Sequence, residues 1–359
     1  MGKLGAAAYS QIDSPAIQQS ISLFGMAGLS FLIYWMNASV AHALLMKRSR
    51  AVYLPALILA GLTIWGGFRL DLSRGSSAEA MKVAAVGTDS EIGTANLPSF
   101  DENTSDIKKV FERTRNASAQ GAELVVWNEA SFYLLPENES AWMDSISDLA
   151  QELKTSIVAA YVVAYEKPEF HYDNKYIMVT PNGSIDHSYM KHEPVPGEPA
   201  TPGTSAQQTV ELNGSMVGGA ICYDYDFPYL ARDNKKAGAD IVGLPSSDWR
   251  GIDPIHTQMA AMRAIEQGNS IVRSTRIGLS AAITPYGVMN AQMSSFDEND
   301  KIMIANVPRQ GITTLYSLIG NFFVWPCLAG LAGIAVHSLL SKKRGIKLEK
   351  DRKPVTAIA

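Results

Sequence analysis

The chain has 359 residues, enough for one large domain or two ordinary ones, and a net charge of −4 that implies no broad basic face and so no nucleic-acid partner. Only 18% of residues are charged, below the roughly one quarter usual in soluble domains, while 47% are apolar and gather near the two ends. Two cysteines, Cys222 and Cys327, cannot build a disulfide framework, and with no C-x-x-C or H-E-x-x-H spacing neither a metal nor any other cofactor is expected.

Residues 1–75 read as a membrane region with two transmembrane helices, at about 21–46 and 51–68. A third span is expected at 315–340, and residues 341–359 form a basic tail. None of the three runs contains Asp, Glu, Lys or Arg. Lys47, Arg48 and Arg50 lie between the first two spans, and Lys342, Lys343, Arg344 and Lys347 follow the third. By the positive-inside rule both clusters are cytoplasmic. The middle of the chain is then extracytoplasmic, which is periplasmic in a cell with two membranes. The polar stretch SQIDSPAIQQ ahead of the first span does not resemble a signal peptide, so that span is expected to stay as an anchor.

Residues 80–310 alternate strands and helices. KVAAVG, ELVVWNE, SIVAAYVV, YIMVTP, MVGGAICYD, DIVGLPSS, NSIVRSTR and SAAITPYG read as strands apolar enough to be buried on both faces. Helices are predicted over 101–120, 137–154, 227–237 and 254–267, with Asp101 and Asp253 as N-caps. The implied class is α/β, a sheet covered by helices.

Three residues stand at the ends of apolar segments, where a side chain can leave a sheet for a cleft. Cys222 closes GGAIC and has Tyr223, Asp224 and Asp226 after it; Glu129 closes LVVWNE; Lys191 follows a strand and turn. Each alone has a bland reading, as a buried small hydrophobe, a loop acid or a solvated lysine. Cys327, inside an apolar run, keeps the bland one.

Taken in the order Glu, Lys, Cys, they resemble the triad of the nitrilase, or carbon–nitrogen hydrolase, superfamily. VVWNEA, YMKHEPVPGE and GGAICYDYDFP resemble its glutamate, lysine and cysteine motifs. LPSSDWRG and HTQMAAMRAIEQGNSIVRSTRIGLSAAITPYG resemble more specifically the apolipoprotein N-acyltransferase family. So do AYSQIDSPAIQQ and GLSFLIYWMNASVAHALL upstream, and the likeness covers nearly all of residues 7–340. It implies a nitrilase-like α-β-β-α sandwich domain flanked by transmembrane helices. It also implies Cys222 as nucleophile, Glu129 as general base, and Lys191 with the Tyr223 N–H as oxyanion donors. Tyr223, Asp224, Glu198 and Trp249 become candidate supporting or substrate-binding residues, and Phe227 and Tyr229 could guide acyl chains. By resemblance the partners are the membrane, a phospholipid acyl donor and a lipoprotein acyl acceptor. The family carries six spans ahead of its catalytic domain, where two are expected here; Asn128 replaces a proline and Asp224 a glutamate. Competing readings are a membrane-tethered amidase or nitrilase acting on a small C–N substrate, and an inactive homologue that binds lipoprotein or lipid.

Overall fold

The computed structural model describes residues 5–75, 79–90, 92, 97–166, 169–297 and 300–350. The chain opens with a short helix α1 (Pro15–Gln18) and two long ones, α2 (Ile21–Met46) and α3 (Tyr53–Gly75). The α/β region follows as β1 (Ala80–Val86), α4 (Phe100–Ala119), β2 (Leu124–Trp127), β3 (Tyr133–Leu134), α5 (Glu139–Leu153), β4 (Ser156–Tyr165), β5 (His171–Val179) and β6 (Ile185–Met190). It continues through β7 (Val210–Leu212), β8 (Ser215–Gly219), α6 (Pro228–Lys236), β9 (Ile241–Ser247), α7 (Ile255–Gln267), β10 (Ser270–Arg276), β11 (Leu279–Ile283), β12 (Met289–Ser294) and β13 (Ile302–Pro308). Two helices, α8 (Leu315–Ile319) and α9 (Val324–Lys350), close it.

The strands form two sheets, ordered β13-β1-β2-β4-β5-β6 (with β3 beside β4) and β12-β11-β10-β9-β8-β7. In each, three parallel strands occupy the centre and antiparallel strands the flanks. The facing sides interdigitate through Val83, Val126, Val158 and Tyr176 from one sheet and Val217, Ile241 and Val272 from the other. The outer face of the first sheet packs on α4 and α5 through Val110, Trp142 and Ile146. That of the second packs on α6 and α7 through Ala231, Ala260 and Ala264. The layering is α-β-β-α, as expected of a nitrilase-like domain.

The strands read from sequence are the buried central ones. Those missed are β3, only two residues long, and the marginal β6, β7, β12 and β13, which mix buried with half-exposed or exposed residues, so that polar side chains dilute the apolar signal. Two caps differ from expectation. Ser99, not Asp101, caps α4, in a reciprocal box with Glu102. No side chain caps α7, and Asp253 lies outside it.

Three helices are long and apolar enough to cross a membrane: Ile21–Met46, Ser49–Ser73 and Val324–Ser341. Their side chains show where lipid would lie, with Leu44, Leu57 and Ile334 each at least 70% exposed. Two predicted spans change shape. Helix α2 breaks at Gly25 (φ 65°, ψ −178°), a conformation open to glycine, and a Cβ there would meet the Tyr316 ring. Ile21, Met26, Leu29 and Leu32 pack on Met262 and Ile265 of α7, so the start of this apolar run belongs to the α/β domain. The 315–340 run is not one helix: it turns at Gly320 (φ 63°), and only α9 is long enough to span. α9 also runs through the first part of the expected tail; residues 351–359 lie outside the described residues.

Candidate active site

The three candidate residues leave three different strands. Glu129 lies two residues past β2, and Lys191 directly follows β6. Cys222 does not end its strand: β8 stops at Gly219, and Cys222 opens a 3-10 turn, Cys222–Asp226. Nor do Glu129 and Cys222 share one sheet edge, because β2 and β8 belong to opposite sheets. The sheets meet here, and the Glu129 N–H donates to the Ser246 carbonyl of β9 at 3.3 Å.

Backbone strain concentrates at these turns. Cys222 (φ 47°), Ala130 (φ 50°) and Ile277 (φ 53°) all occupy the left-handed region. For a residue with a Cβ this costs about 1–3 kcal/mol and persists only where the surroundings impose it. Arg263 helps to impose it at the cysteine turn, donating from Nε to the Tyr225 carbonyl (3.1 Å) and from Nη2 to that of Asp226 (2.8 Å). Asp224 closes the turn from within: its carboxylate accepts from the Ile221 N–H, the Tyr189 hydroxyl and the N–H groups of His192 and Glu193. Asp224 therefore ties the loop after Lys191 to the cysteine turn. Its burial pushes the carboxyl up to about 7, against the pull of Lys191 and these donors.

Lys191 is buried, and its Nζ bridges Glu129 Oε1 and Glu198 Oε2 at 2.8 Å each. Burial alone would lower the ammonium's pKa; Glu129 and Glu198 outweigh it and raise it well above the usual lysine value. Asn174 of β5 donates to both carboxylates, at 2.8 Å to Glu129 and 3.2 Å to Glu198. Tyr172 and the Val195 N–H also donate to Glu198.

The Cys222 sulfur lies 3.3 Å from the Ser247 carbonyl oxygen. Burial, then the Glu129 carboxylate, raise its thiol pKa, while His256 and Lys191 pull it down. A thiol held this way keeps its proton at rest and needs a base to release it. Above it opens a cavity of about 180 Å³, lined among others by Val195, Tyr223, Trp249 and Ile252. Trp249 is 56% exposed at its rim, and Tyr223 packs edge-on against Phe227. Tyr229 lies exposed, its hydroxyl donating to Glu193.

Sequence reasoning missed Asn174, Asp248, His256 and Arg273, and noted Asp226 beside Cys222 without giving it a role. His256 lies within the HTQMAAMRAIE stretch, but nothing local distinguishes it from a solvent-facing histidine at a helix start. Cys222 Sγ, an Asp248 oxygen and a His256 nitrogen all lie within 4.8 Å of one another, a grouping that could hold a metal ion. The donor set argues otherwise. The Arg273 guanidinium already donates to both Asp248 oxygens (2.9 and 3.1 Å) and lies 3.0 Å from His256 Nδ1, placing a fixed cation where a metal would bind.

The carbon-nitrogen hydrolase family model matches residues 82–316, nearly the whole α/β region. The chain belongs to that family. The chain is 26% identical to the apolipoprotein N-acyltransferase of Vibrio vulnificus over 355 residues, 89% of this chain and 68% of that protein. It is 27% identical to that of Geobacter metallireducens over 373 residues, 93% of this chain and 69% of the other. Among solved structures, an amidase from Nesterenkonia sp. superposes with a TM-score of 0.51 at 17% identity, covering 64% of this chain and 91% of its own. Its complex with butyramide superposes equally well. These structures share the fold; the named acyltransferases share most of the chain.

Proposed function

We propose that this enzyme is a membrane-bound acyltransferase that moves a fatty acyl group from a phospholipid, through a Cys222 thioester, to the N-terminal amine of a diacylglyceryl-cysteine lipoprotein. The observation that carries this reading is the extent of the similarity. It covers 93% of the chain for the apolipoprotein N-acyltransferase of Geobacter metallireducens, whereas the amidase fold accounts for 64%. An enzyme of small soluble amides has no use for the membrane-capable helices.

In the first half-reaction Glu129 takes the thiol proton and the sulfur attacks the ester carbonyl. Lys191 Nζ and the Tyr223 N–H face the oxyanion. The carbon–oxygen bond breaks, Glu129 returns its proton to the departing glyceryl oxygen, and a lysophospholipid leaves. In the second half-reaction the acceptor nitrogen attacks the thioester carbonyl. The carbon–sulfur bond breaks, and the proton shed by the amine passes by way of Glu129 to the thiolate. Glu198 keeps Lys191 in place, and Trp249 at the rim offers an apolar surface to the incoming chain. The active site lies on the extracytoplasmic side of the inner membrane, with the C-terminus in the cytoplasm.

The test is intact-mass measurement of the purified full chain after incubation with a phospholipid of defined acyl chains. A gain of one acyl group, released by neutral hydroxylamine and missing in Cys222→Ala, is the expected result. No gain from folded protein with reduced Cys222, together with ammonia release from simple amides, would replace this reading with an amidase.

A further inference from the structure

The mechanism above leaves the most elaborate polar cluster beside the sulfur without a task. His256, at the start of α7, is buried between two carboxylates: its Nδ1 lies 2.6 Å from Asp248 Oδ1 and its Nε2 3.2 Å from Asp226 Oδ1. Both carboxylates are acceptors, and although Arg273 Nη2 lies 3.0 Å from Nδ1 it already donates to Asp248 Oδ1, while a 2.6 Å separation of Nδ1 and Oδ1 needs a proton between them. A neutral imidazole has one N–H and can satisfy only one of them, so the second contact requires one more proton. An imidazole is more basic than a carboxylate by about 2–3 pKa units, which places that proton on the ring.

We propose that His256 is a positioning residue held as an imidazolium by Asp226 and Asp248, and that it stabilises the Cys222 thiolate from the side of the site opposite in role to the Glu129–Lys191 pair. Glu129 removes the proton; His256 lowers the energy of the anion that results. This rests on Cys222 being the nucleophile. The charged groups that face the sulfur include Glu129 beyond β2, Lys191 beyond β6, Asp226 in the cysteine turn, Asp248 beyond β9, His256 on α7, and Arg273 and Arg276 on β10. A His256 nitrogen lies within 4.8 Å of the sulfur, in the same grouping as an Asp248 oxygen. A thiolate with such a partner is favoured both as nucleophile and as the leaving group when the thioester is resolved.

The experiment is the pH profile of Cys222 alkylation by iodoacetamide in the solubilised full chain, wild type against His256→Asn, followed by intact mass. Loss of an opposite charge at this range moves a pKa by about one unit or more, so the midpoint should rise by that much and alkylation near neutral pH should slow about tenfold. An unchanged or lowered midpoint in folded His256→Asn overturns the proposal, even if acyl transfer is lost, because a purely structural role would not move the profile. If His256→Asn does not fold, ring 15N shifts of the wild type decide the matter. The histidine signal that responds most to Cys222 alkylation should be that of an imidazolium at neutral pH, and a neutral ring overturns the proposal. Alkylation requires no lipid, so failure of the acyl-donor assignment would show separately, as an expected alkylation profile with no acyl-enzyme.

Discussion

Lys191 illustrates how much of this site depends on single side chains. Its ammonium is buried and touches two carboxylates, which keep it charged where burial alone would favour the neutral amine. Methionine fills a similar volume but leaves Glu129 and Glu198 facing each other across Asn174 with no cation. In the proposed mechanism it also deletes one oxyanion donor, a loss worth about 10²–10³-fold in rate. Lys191→Met is therefore expected to slow formation of the acyl-enzyme by about a hundredfold or more, followed by intact mass, while Cys222 still reacts with iodoacetamide. Acyl-enzyme formation at the wild-type rate would remove Lys191 from the chemistry. Asp224 acts differently, through what it holds. Its bonds to Ile221, His192 and Glu193 fix the spacing between the cysteine turn and the lysine loop.

Helix α7 joins the site to the membrane part of the chain. Glu266 accepts from the Met26 N–H at 2.9 Å, at the break in α2, and pairs with Arg263 one turn back. Arg263 holds two carbonyls of the cysteine turn, and the Thr314 hydroxyl, capping α8, donates to the Glu266 carbonyl at 2.5 Å. The Arg263–Glu266 pair and the Glu266 carbonyl thus connect α2, the nucleophile's turn and α8. Removing one member of such a pair leaves a buried charge uncompensated, at a cost of about 3–5 kcal/mol. Arg263→Ala is expected to lower the melting temperature in detergent and to reduce Cys222 reactivity together, since the strained φ at Cys222 loses its support. A variant that melts early but alkylates normally would show that the turn holds itself.

At the scale of the molecule, the α/β domain rests on the ends of its helices. Residues 5–32 pack against α7, α3 leads into β1, and α9 departs after β13. The basic clusters at Lys47–Arg50 in number 47–50 and at 342–347 then lie at the far ends of the spans from the domain. This arrangement supports the proposed topology and gives it a test. A cysteine placed at Glu137, exposed on the domain, is expected to react with a membrane-impermeant maleimide in intact spheroplasts, and one at Arg48, between the first two spans, only after lysis. Labelling of both in intact spheroplasts would mean that α2 and α3 do not cross as a pair.

The sequence by itself determined the apolar central strands, the helices between them, the membrane-capable runs and the identity of Glu129, Lys191 and Cys222 as candidates. These signals are local: a strand buried on both faces and a helix exposed to lipid announce themselves by composition, and each candidate follows an apolar segment. The tertiary structure alone decided what depends on residues far apart in the chain. Glu198 reaches Lys191 because the loop between them folds back, and Asn174 meets both carboxylates because β5 runs beside β6. Glu129 and Cys222 meet across two sheets rather than along one edge. His256 looks like any polar residue at a helix start until Asp226 and Asp248, from two other segments, close on its two nitrogens. Charge pairing in a buried site is a property of distance in space, and the order of residues along a chain does not encode it locally.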